Sequence, residues 1–163
     1  MANTYTLIEA KTLGSAVASV TFSSIPQTYT DLKLVISPRS NRIVADDMKL
    51  QFNSNTTGYT AKRLYGNGAG TGSDSALHLN INGADSTSNT FSNVEYYIPN
   101  YTSSNYKSWS GDAVSENNGT EAYAEFGAYL WSNTAAITSI SVITVNGDLI
   151  SGSTFYLYGI KNS

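Results

Sequence analysis

Cysteine is absent from this chain of 163 residues, which excludes disulfides, thiol nucleophiles and cysteine-type metal sites. Histidine occurs once and proline three times. Charge is also scarce: Asp, Glu, Lys and Arg make up 13 % of the residues, against about 25 % in an ordinary soluble domain. The nine basic residues are scattered and the net charge is −3. No cationic cluster is available to displace counterions from a polyphosphate, so nucleic acid is not an expected partner. No apolar run approaches the ~20 residues needed to span a bilayer, so no membrane partner is expected either. The opening Met-Ala-Asn-Thr-Tyr-Thr-Leu-Ile lacks the basic start of a signal peptide. A protein made in the cytoplasm is the expectation.

Helical periodicity is missing too. Apolar clusters instead alternate with period two and end in Gly, Asn, Asp, Ser or Pro. Strands are predicted over residues 5–13, 16–23, 31–37, 48–53, 59–65, 76–82, 91–99, 107–116, 122–131, 137–145 and 154–160. In several of them one face is apolar: Val20 and Phe22; Leu32, Leu34 and Ile36; Met48, Leu50 and Phe52; Leu77, Leu79 and Ile81. One packed face and one polar face mark antiparallel sheets stacked as a sandwich. Tight turns are expected at Asn82-Gly83 and Asn146-Gly147, and longer loops at 38–47, 66–74, 101–106 and 117–121. The predicted fold is all-β, an antiparallel jelly-roll-like sandwich forming one domain over 1–163. The closing stretch 152–163 is the densest β signal. So apolar a strand must be paired inside a sheet, and a jelly roll would set it beside the strand that begins at Tyr5.

Residues with chemical potential are few. Gly66-Asn-Gly-Ala-Gly-Thr-Gly72 lacks the Gly-Lys-Ser/Thr and the following helix of a phosphate cradle, and reads as a hairpin loop. His78 shares a polar face with Asn80, and no neighbouring nucleophile or orienting carboxylate is evident in sequence. Asp46, Asp47, Asp74, Asp85, Asp112, Glu116, Glu121 and Glu125 offer the chance of a glycosidase-type pair but no motif that selects one. No calcium loop of the Asp-x-Asp-x-Asp-Gly type occurs. The expectation is no catalytic residue, no metal and no cofactor. Asn-x-Ser/Thr triplets at Asn55, Asn100 and Asn118 are read as accidents of composition.

Aromatic residues are the positive signal, with 12 tyrosines. Over 122–131, Tyr123, Glu125, Gly127, Tyr129 and Trp131 share one face, and Ala122, Ala124, Phe126, Ala128 and Leu130 the other. The Tyr and Trp face is taken as outward. Together with Tyr97 and Tyr101, it makes Tyr123, Tyr129 and Trp131 the interface candidates, suited to a protein partner or to stacking on sugar rings. The loops at 38–47 and 66–74 are added as contact candidates. A central strand covered on both faces is the competing reading.

Three segments carry a family likeness: Tyr5-Thr-Leu-Ile-Glu-Ala-Lys-Thr-Leu-Gly-Ser-Ala16, Phe22-Ser-Ser-Ile-Pro-Gln-Thr-Tyr-Thr-Asp-Leu-Lys-Leu34 and the closing 152–163. Leu130-Trp-Ser-Asn-Thr-Ala-Ala-Ile-Thr-Ser-Ile140 and Ile98-Pro-Asn-Tyr-Thr102 add to it. The pattern resembles small β-sandwich virion proteins of tailed bacteriophages, notably those of cyanobacteria and other aquatic bacteria. The resemblance implies a jelly-roll-like structural part of the particle. One such role is a capsid cement (decoration) protein, typically a homotrimer bound to the major capsid protein. The other is a tail-fibre piece or a receptor- or carbohydrate-binding module, with glycan as the partner. No stalk or coiled-coil repeat is present, which favours cement. The expected location is the virion, and no site residue is carried over by the likeness.

Overall fold

The computed structural model describes residues 4–118 and 122–161. Glu121 and part of the 117–121 loop therefore lie outside the described residues. Twelve strands form: β1 (Tyr5–Thr12), β2 (Ser19–Phe22), β3 (Asp31–Ser37), β4 (Asp46–Phe52), β5 (Tyr59–Gly66), β6 (Thr71–Asp74), β7 (Leu79–Ile81), β8 (Asn93–Ile98), β9 (Lys107–Val114), β10 (Ala124–Trp131), β11 (Ile140–Thr144) and β12 (Thr154–Ile160). Every pairing is antiparallel. Eight strands make one sheet in the order β1-β12-β3-β8-β9-β10-β5-β6, and four make the other, β2-β11-β4-β7. The architecture is an all-β sandwich.

One apolar cluster fills the space between the sheets. The larger sheet supplies Leu34, Val94, Tyr96, Trp109, Tyr129, Trp131 and Phe155; the smaller supplies Val20, Phe22, Met48, Phe52, Leu79 and Val142. The inward sets of β2, β3 and β4 are those the alternation predicts. Leu77 departs from that set and is partly exposed, because the chain joins the smaller sheet only at β7.

The last strand sits where a sandwich of this kind needs it. β12 pairs with β1 on one side, from Tyr5↔Ile160 to Thr12↔Thr154, and with β3 on the other. Its Phe155 and Leu157 are fully buried. Fully enclosed by neighbours, this apolar strand exposes no edge. The edge role falls to β1, which carries a bulge between Leu7 and Glu9 and a Lys11–Glu9 ion pair at 2.8 Å. Bulges and charges at an edge discourage pairing with other chains.

β6 is a strand that alternation does not predict. Thr71-Gly-Ser-Asp74 has little β propensity, yet it pairs with Arg63–Gly66 of β5. The glycine-rich stretch is thus a hairpin with its tip at 67–70, where Asn67 Oδ1 accepts from the Ala69 and Gly70 N–H groups at 3.2 and 3.0 Å.

Candidate functional site

An eight-stranded sheet packed against a four-stranded one covers only its inner face. The outer face carries alternate residues of adjacent strands, and the register sets them in rows. Asp112, Phe126, Leu64 and Ser73 form one row across β9, β10, β5 and β6. Val114 and Ala124 lie in the row on one side of it, and Ala128 and Lys62 in the row on the other. Leu64 is 62 % exposed and Phe126 54 %. Two shallow depressions of about 640 and 660 Å³ flank Phe126, lined by Leu64, Ser73 and Ala124 or Ala128. Further along the same face Tyr97 lies across from Lys33, whose Nζ reaches Glu95 Oε2 at 2.6 Å. Tyr5 and Leu7 stand exposed at the far edge. Leu64, Phe126 and Val114 thus form a group of exposed apolar side chains on the outer face.

The expectation that Tyr129 and Trp131 face outward is corrected. Glu125, Gly127, Tyr129 and Trp131 point between the sheets and Ala124, Phe126 and Ala128 point out. Gly127 sits opposite Gly111 of β9. A Cβ on Gly111 would strike the Tyr96 ring and one on Gly127 the Tyr129 ring, so the two glycines make the hollow those rings fill. Tyr129 stacks on Trp109 at 5.3 Å between centroids, and Trp131 stacks on Tyr59 at 6.0 Å. Burial pushes the Tyr129 hydroxyl well above the ordinary tyrosine range.

Tyr101 is also corrected: it is fully buried, with its hydroxyl donating to the Pro26 carbonyl. Tyr97 is the candidate that remains exposed, at 41 %. Its Oη donates to Asp31 Oδ2 at 2.7 Å, and that bond raises its pKa to about 12. Tyr123 is partly buried just before β10, its backbone held by Ser115.

The carboxylates gather in ways the sequence does not display. Glu125 is buried on the inner face, where its Oε1 meets Arg63 Nη1 at 2.9 Å and its Oε2 accepts from the Asn80 N–H at 2.6 Å. Arg63 Nη2 meets Asp74 Oδ2 at 2.6 Å, and Nη1 also donates to Asn80 Oδ1. His78 Nε2 lies 3.1 Å from Asp47 Oδ1. The network clamps β7 against β5, β6 and β10 where the two sheets meet. Burial holds the Glu125 carboxyl above the usual range, while the hydrogen bond from Arg63 holds Asp74 below it. A pair with pKa values pushed apart is a feature of acid–base sites. Here both carboxylates are bound to one guanidinium, and the Glu125 side chain is out of solvent. The arrangement therefore works as a strut. No group of three or more His, Asp and Glu able to hold a metal occurs among the described residues.

Two more buried polar side chains organise the loop at 38–47. Arg39 donates to the carbonyls of Ala84, Ser86, Thr87 and Thr90, and Asp46 accepts from Ser40 Oγ at 2.5 Å and the Gly147 N–H at 2.9 Å. This leaves Ile43 at the tip, almost wholly exposed. No protein-family model matches the sequence, and no curated protein is similar to it.

Proposed function

We propose that this chain is a structural protein of a tailed-phage virion, acting as a capsid cement protein. It binds the outside of the head and bridges neighbouring major capsid protein subunits, as a homotrimer. The observation that carries the reading is the uncovered outer face of the eight-stranded sheet, with Leu64, Phe126 and Val114 standing together in solvent. The sequence likeness to phage sandwich proteins supports the same assignment. Attachment would rest on many weak contacts multiplied by symmetry and avidity. The exposed tip at Ile43 offers a second contact, well anchored through Arg39.

The test is addition of the purified protein to heads stripped of their outer proteins. Stoichiometric co-sedimentation that stabilises the heads supports cement. Binding to host polysaccharide with no affinity for heads would sink it. The alternative, a receptor- or carbohydrate-binding module of the virion, draws on a cavity beside Tyr59 and Trp109.

A further inference from the structure

That cavity arises from a strand that stops short. β7 pairs with β4 at Asp46↔Ile81, Asp47↔Asn80 and Met48↔Leu79. Continued by two residues, the same register would set Leu77 against Leu50, but the chain has not yet joined the sheet there. A cavity of about 200 Å³ opens beside that gap, lined by Leu50, Gln51, Asn55, Tyr59, Leu77 and Trp109 and extending over β4 to Lys49 and Ile143.

Backbone parity places an unpaired amide in it. The Val145 N–H donates to Asp47 O and the Asn53 N–H to Ser139 O, so the odd-numbered residues of β4 bond toward β11. Successive residues of a strand alternate in the direction of their hydrogen bonds. The N–H and C=O of Leu50 therefore point away from β11, toward the cavity. Met48, on one side, has Leu79 as its partner, and on the other the Phe52 N–H donates to Tyr59 Oη at 2.8 Å. Leu50 alone of the three has no partner among the described residues, in a residue 7 % exposed. Unpaired backbone groups in so largely buried a residue are ordinarily answered by ordered water or by a ligand.

The shape of the cavity selects what answers. A donor and an acceptor side by side need two groups on the ligand, and a trans amide, whose N–H and C=O point in opposite directions, can supply one of them. A strand of peptide would need a run of free edge positions, and here the edge is free at one residue only. Leu77, Tyr59 and Trp109 supply apolar and aromatic walls suited to a methyl group and to the C–H faces of a sugar ring. Gln51 and Asn55 supply amide groups at the rim for hydroxyls. The volume lies below the ~300 Å³ at which drug-sized sites begin, which suits a single ring. We infer that the notch opposite Leu50 binds an N-acetylated amino sugar, its acetamido oxygen accepting from the Leu50 N–H and a neighbouring ring hydroxyl donating to the Leu50 C=O. This does not rest on the head-binding reading, and either can fail without the other.

The test is a titration of the isotope-labelled chain with N-acetylglucosamine and, in parallel, with glucose, followed by amide NMR. Saturable shifts of the Leu50 amide and the Trp109 indole with N-acetylglucosamine are expected, with affinity for glucose weaker by about tenfold or more, since glucose lacks the acetamido group. Thr56→Trp, at an exposed cavity-lining position, should abolish the shifts while the rest of the spectrum stays folded. Absence of saturable shifts at Leu50, an equal response to glucose, or binding that survives Thr56→Trp would overturn the site. So would a response to an extended peptide and not to the sugar.

Discussion

Replacing Arg63 by Met removes the guanidinium that faces both Glu125 and Asp74 and leaves a buried carboxylate without its cation. Breaking a buried pair from one side costs about 3–5 kcal/mol. Glu125→Gln keeps an acceptor for the Asn80 N–H and should cost clearly less. Urea denaturation of the two variants checks the order, and an Arg63→Met midpoint equal to wild type would refute the strut. His78 gives the fold a pH dependence. Burial chiefly holds its pKa below the usual value, with Asp47 and Asp74 opposing and Arg63 and Lys49 assisting. A base with a depressed folded pKa is fully accommodated above its unfolded value near ~6.5 and is a growing cost as pH falls through it. Asp74, held low by Arg63, adds a second loss, beginning near its unfolded value of ~3.9. Glu125, held high, opposes both. The melting temperature should fall between pH 7 and 5, and His78→Gln should flatten that fall. A wild-type profile that is flat over this range, or is unaltered by the substitution, would contradict the assignment.

At the scale of elements, β12 is the piece the sandwich cannot spare. Removing residues 154–163 deletes a strand paired on both sides, together with buried Phe155 and Leu157. No soluble, cooperatively melting product is expected, and circular dichroism on the truncated chain decides it. β12 was legible in sequence because its aromatic and branched residues alternate without interruption, and β3 for the same reason. β6 was not, because Thr-Gly-Ser-Asp pairs through backbone bonds that composition does not announce. β10 was legible as a strand but not as to its sides. Both of its faces are largely apolar, and the charge that seems to mark an outward face, Glu125, is drawn inward by an arginine 62 positions away. The Arg63 network escaped notice for that reason: its members lie on β5, β7, β10 and the end of β6, and only the fold brings them together.

For the whole molecule, the proposed function turns on the unequal sheets. Four strands seal the core and leave the outer side of eight strands uncovered. Glu in place of Leu64 or Phe126 should leave stability nearly unchanged, since both side chains already stand in water. Each should weaken attachment to stripped heads by on the order of tenfold, about 1.4 kcal/mol. Attachment that persists through the double substitution would move the docking surface elsewhere. The most direct test of the assignment is immunolabelling of purified particles followed by electron microscopy. Label distributed over the head surface in symmetric register with the capsomers is expected. Label confined to the tail tip or its fibres, with bare heads, would contradict it.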